Sequence, residues 1–98
     1  MVINKKSDWF KENIMSYLSE FEVIEKKFSE GDFGDLEQIE FNSEKISGNI
    51  DFWSLGWVGV FVWDNICESE MLNILSEPQE EERIVESFNK LKEIIINN

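Results

Sequence analysis

Ninety-eight residues make one domain's worth of chain, and 42% hydrophobic with 13% aromatic content is enough for one compact core. Twenty-one acids against nine bases leave a net charge of −12, a field that repels nucleic acid and anionic membrane and attracts basic proteins or cations. Four Trp and eight Phe exclude a disordered chain despite that charge.

The acidity is concentrated: from Glu30 to Glu82 there are fourteen acids and one base, Lys45. Solubility alone is the plainer reason for such a surplus, a binding field the more specific one. Cys67 is the only cysteine, so no internal disulfide forms. The stretch Met1-Val2-Ile3-Asn4-Lys5-Lys6 lacks the apolar run of a signal peptide, and no apolar run approaches the ~20 residues that span a bilayer. These features point to the cytoplasm.

Along the chain, Ser7 is placed to cap a helix beginning at Asp8, whose charge suits the helix dipole. Phe10, Ile14, Leu18, Phe21, Ile24 and Phe28 follow at steps of three and four, which predicts one long amphipathic helix ending near Gly31 and Gly34. The period then changes to two. Ile39 and Phe41 alternate with Gln38 and Glu40, Asn42 to Lys45 reads as a turn, and Ile46, Ile50 and Phe52 alternate with Ser47, Asn49 and Asp51. Ser54-Leu55-Gly56 is a hairpin loop with Gly at the left-handed position, and Trp57 to Trp63 is the next strand.

That loop fixes a register: Trp53 faces Trp57, Asp51 faces Gly59, Asn49 faces Phe61 and Ser47 faces Trp63. The opposite face then holds Phe52 with Val58, Ile50 with Val60 and Gly48 with Val62. Met71 to Leu75 reads as a fourth strand or a short helix. Ser76 with Gln79 resembles a capping box, with Glu80 to Glu82 at the positive end of a closing helix whose stripe is Ile84, Phe88, Leu91 and Ile95. The expected fold class is α+β: an antiparallel meander of three or four strands with an N-terminal and a C-terminal helix, a two-layer sandwich in a single domain, residues 1–98.

Catalytic chemistry is hard to find. With no histidine, the usual general base and the commonest zinc ligand are missing. Cys67 has acids rather than bases for neighbours, which opposes thiolate formation. Asp32-Phe33-Gly34 matches a kinase tripeptide without its accompanying parts and reads as a helix stop. A cation site at Glu30, Asp32, Asp35 and Glu37 lacks the EF-hand spacing. The chain is therefore expected to be a binding protein and not an enzyme, with no cofactor and no metal.

The remaining feature is a mixed sheet face with Trp53, Trp57, Phe61 and Trp63 beside Glu40 and Asp51, and Asp32 and Asp35 at its acidic edge. It is either covered by a helix or a second subunit, or exposed as a binding surface. Length, acidity, the lack of a catalytic set and the Phe-Trp-Ser-Leu-Gly-Trp turn of Phe52 to Trp57 together resemble the immunity proteins of bacterial polymorphic and contact-dependent growth-inhibition toxin systems. The resemblance implies a cytoplasmic inhibitor whose partner is a basic, nuclease-type toxin domain, with neither nucleic acid nor membrane as a ligand. The competing readings are an acidic secretion chaperone and a DNA-mimicking inhibitor of a nucleic-acid-binding protein.

Overall fold

Period-two alternation governs most of this chain, and in the computed structural model, which describes residues 6–97, it yields more sheet than the sequence reading expected. Helix α1 is Lys6–Asn13, and a short 3-10 turn follows at Met15–Leu18. Then come β1 (Glu22–Gly31), β2 (Gly34–Asn42), β3 (Ile46–Trp53), β4 (Val58–Asp64), β5 (Ser69–Ser76) and helix α2 (Glu81–Ile96). Each strand pairs antiparallel with its neighbour in sequence, giving one open five-stranded sheet in the order β1-β2-β3-β4-β5. The fold class is α+β. Five strands replace the expected three or four, and Met71 to Leu75 belongs to β5, paired back on β4.

The largest correction concerns the first helix. It stops at Asn13, whose side-chain amide donates to Trp9 O at 2.8 Å, and the segment expected to continue it is strand β1. Phe10, Ile14 and Leu18 do enter the core. Phe21 is half-buried and meets Phe41 edge to face at 5.5 Å, whereas Ile24 and Phe28 are exposed on the sheet. Asp32 and Phe33 form the tip of the β1–β2 hairpin rather than a helix stop, with Gly34 at φ +91° where the chain reverses. Ser7 lies within α1 rather than before it.

The β3–β4 register is as expected, with Asp51 opposite Gly59, Asn49 opposite Phe61, Ser47 opposite Trp63, and Phe52, Ile50 and Gly48 opposite Val58, Val60 and Val62. Trp53 and Trp57 close the hairpin through Trp53 N–H to Trp57 O at 3.1 Å, and Gly56 has φ +100°. On one face Ile39, Phe41, Ile50, Phe52, Val58, Val60 and Val62 form a single buried cluster with Phe10, Ile14 and Leu18 from the N-terminal elements and Ile84, Phe88, Leu91 and Ile95 from α2. Phe88 is its hinge point, in aromatic contact with Phe10 at 5.3 Å and Phe52 at 6.1 Å. Gly48 sits beneath Phe41: an added Cβ would lie 2.6 Å from that ring and collide with the Phe61 carbonyl.

Among the described residues no helix is long and apolar enough to cross a membrane. The segment Met1–Lys5, searched in the sequence for an export signal, lies outside the described residues. The expected cap at Ser76 is not formed. Ser76 ends β5 with its hydroxyl buried and without a hydrogen-bond partner, Glu80 is the residue before α2, and Glu80 Oε1 accepts instead from Glu77 N–H at 2.8 Å. Glu81 and Glu82 do occupy the first turn.

Two outcomes follow in urea melts followed by circular dichroism. Ser76→Ala should leave stability unchanged or raise it, because an unsatisfied buried hydroxyl is removed, whereas loss of a true cap would cost about 1 kcal/mol. Gly48→Ala should destabilise by about 1–3 kcal/mol, since the strand must shift to admit the methyl group.

Candidate functional site

Because both helices pack on one side, the strand residues of opposite parity form a second face that no described element covers. Pairing arranges this face in rows across the sheet. One row is Phe28, Leu36 and Trp53, and the next is Lys26, Gln38, Asp51, Gly59 and Leu75. A third is Ile24, Glu40, Asn49, Phe61 and Asn73, and the last is Glu22, Asn42, Ser47, Trp63 and Glu70. Apolar and aromatic rings thus stand at both ends of a polar band. Phe28 is 51% exposed, Leu75 45%, Ile24 and Trp63 37% each, and Trp53, Trp57 and Phe61 are half-buried.

Two aromatic groups organise the face. At one end Phe33 stacks on Trp57, centroids 4.3 Å apart and planes within 8°, and meets the edge of Trp53 at 5.5 Å. Phe33 reaches them because the β1–β2 tip is sewn to the β3–β4 tip. Ser54 N–H donates to Asp35 O at 2.7 Å, Asp35 N–H donates to Ser54 Oγ at 2.9 Å, and Leu55 N–H donates to Phe33 O at 3.2 Å. The Trp53 ring lies over Gly59, 3.4 Å from where a side chain would begin. At the other end Phe61 and Trp63 stack at 6.4 Å and 20°.

The carboxylates differ in what holds them. Asp51 accepts from the side-chain amides of Gln38 at 2.8 Å and Asn49 at 3.2 Å, neutral donors that orient its charge without cancelling it. Glu40 is paired with Lys26 at 3.0 Å, both partly exposed, so its field is largely offset. Asp32 and Asp35 are exposed at the hairpin tip that carries Phe33. Of the expected site residues, Glu40, Asp51, Trp53, Trp57, Phe61 and Trp63 therefore share one face, with Asp32 and Asp35 at its end. Phe33, Phe28, Ile24, Leu36 and Leu75 are additions, of which the helix reading of residues 8–31 hid Ile24 and Phe28. The signal for Phe33 was its place between Gly31 and Gly34, a hairpin tip as readily as a helix end.

The displaced ionisations lie off this face. Lys11 is held above its usual range, first by its hydrogen bond to Glu25 (3.0 Å), with Glu37 at 3.3 Å adding to it against some burial. Asp64 is held below the usual carboxylate range by the N–H groups of Cys67 (3.0 Å) and Ile66 (2.9 Å), which organise the β4–β5 turn. Cys67 is exposed in that turn. Among the described residues no three His, Cys, Asp or Glu side chains gather to hold a metal. The side chain of Glu30, one of the four carboxylates weighed for a cation, lies outside the described residues.

The sequence matches no family model, and no curated protein or solved structure matches it.

Asp64 gives a pH prediction. Its folded-state pKa lies below the ordinary 3.8, so its contribution to stability is complete above about that pH and is lost as pH falls through the depressed value. In thermal melts from pH 7 to pH 2.5, the advantage of wild type over Asp64→Asn should be constant down to about pH 4 and then shrink.

Proposed function

We propose that this chain neutralises a basic toxin domain by covering it with the open sheet face, as an immunity protein does. The observation that supports this reading is the uncovered face itself: stacked aromatic rings at both ends of a band centred on Asp51. Rigid aromatic side chains give desolvated contact area at small entropic cost. A carboxylate held by neutral amides is preoriented for an Arg or Lys of the partner. The surplus of twelve negative charges steers a basic protein toward the molecule and speeds its capture.

A nuclease-type toxin fits this chemistry, because a cleft built for phosphates is basic and an acidic protein can occupy it. The resemblance in kind to the immunity proteins of bacterial toxin systems agrees with the same partner. Inhibition by occupation needs no catalytic group. It needs a rigid surface, and the two stitched hairpin tips with their Phe33–Trp57 stack supply rigidity at one end of the face.

The test is capture of the partner on immobilised protein at low and high salt, followed by association kinetics with the purified partner. A single basic protein should be retained and its activity inhibited. Asp51→Lys, alone and with Glu40→Lys, should slow association about tenfold or more and flatten its salt dependence, with unchanged melting behaviour. Asp51→Lys should carry most of the effect, since Glu40 is already offset by Lys26. Retention of nothing, or association indifferent to both substitutions, would remove this face from consideration.

A further inference from the structure

The carboxylates standing on the strands of the open face are Glu22, Glu40, Asp51 and Glu70, and they differ in what already holds them. Glu40 is paired with Lys26 at 3.0 Å. Glu22 is exposed at a corner of the sheet. Glu70 stands across from Trp63 but is exposed, and it is met by the exposed amide of Asn73 at 3.0 Å. Asp51 alone is half-buried with no cation of the described residues within ion-pair distance. A pair formed there with a partner is shielded from water, whereas a fully exposed pair contributes little.

The surroundings of Asp51 are set by neutral groups. Its Oδ1 accepts from the side-chain amides of Gln38 at 2.8 Å and Asn49 at 3.2 Å, and its Oδ2 accepts from Asn49 at 3.2 Å. A carboxylate offers about four lone-pair sites, so Oδ2 keeps room for a further donor. Each amide that turns its NH2 group to Asp51 presents its carbonyl oxygen elsewhere, as a second kind of acceptor close by. Asp51 faces Gly59, which puts no side chain against it. The Trp53 ring takes that place: its outer edge and the Asp51 Cβ border the same point above Gly59, at 3.4 and 3.6 Å. Phe33 fixes this ring, packing against it at 5.5 Å with planes near perpendicular, and is itself stacked on Trp57.

A cation bound here has to donate to Oδ2 and rest against an indole ring. An ammonium does so only by giving up tightly held water. A guanidinium is flat and weakly hydrated, stacks on aromatic faces, and has five N–H groups to share between Oδ2 and the amide oxygens. We infer that Asp51, Gln38, Asn49 and Trp53 form the receptor for one arginine side chain of a protein partner, in preference to lysine. The inference rests on the open face being the binding surface, and adds which side chain of the partner that face selects.

Nuclear magnetic resonance titration of the isotope-labelled chain tests this without the partner, using N-acetylarginine amide and, at matched ionic strength, N-acetyllysine amide. The arginine compound should shift the Trp53 indole N–H and the Gln38 and Asn49 side-chain amide signals saturably, with a Kd of about 10–100 mM. The lysine compound should bind about threefold or more weakly. Asp51→Asn keeps the size of the side chain and should remove the arginine-dependent shifts, while Glu70→Gln should not. The spectrum of each free variant shows that it is folded. An equal response to the two compounds, shifts indifferent to Asp51→Asn, or no saturable shift up to about 0.3 M overturns the inference. Any of these results in a chain that still captures a basic partner through this face would sink the arginine receptor and leave the proposed function standing. Saturable arginine binding in a chain that captures no basic partner would do the reverse.

Discussion

A glycine beneath an aromatic ring pins the register of the central strands. On the core side Phe41 of β2 lies over Gly48 of β3, and on the open side Trp53 of β3 lies over Gly59 of β4. The Phe41 ring occupies space that only a missing Cβ provides, whereas a Cβ on Gly59 would meet the Trp53 ring in ordinary contact at 3.4 Å. A slip of one residue would put Gly48 and Gly59 on the wrong faces and turn Ile50, Val60 and Val62 out of the core together. Everything else inherits this parity: the floor on which Phe10, Phe88 and Leu91 rest, and the separation of apolar from mixed side chains.

Once parity is fixed, the helices have only one place to go. The amphipathic stripe of α2 and the short apolar set of α1 and its following turn are consumed in covering a single face of five strands. The described ion pairs, such as Lys90–Glu86 and Lys26–Glu40, join partly exposed side chains and contribute little to stability. The negative surplus is therefore not a folding device. It adds self-repulsion to a small domain without stabilising it.

This also explains which parts of the fold were legible in the sequence. The β3–β4 hairpin could be read to the residue because both its faces carry information: apolar side chains inward, Trp, Asn and Asp outward, and a Gly where the loop turns. Helix α2 was legible because its stripe is buried throughout, although its start was misplaced by a Ser that closes a strand. Strand β1 was not legible. As an edge strand exposed on both faces it has no alternation to display, and Ile24 and Phe28 fell by accident into the three-and-four spacing begun by Phe10, Ile14 and Leu18. The face was half legible for the same reason. Residues of β3 and β4 were found, with Glu40 of β2 and the tip acids Asp32 and Asp35, and Ile24 and Phe28 of β1 were lost with the helix.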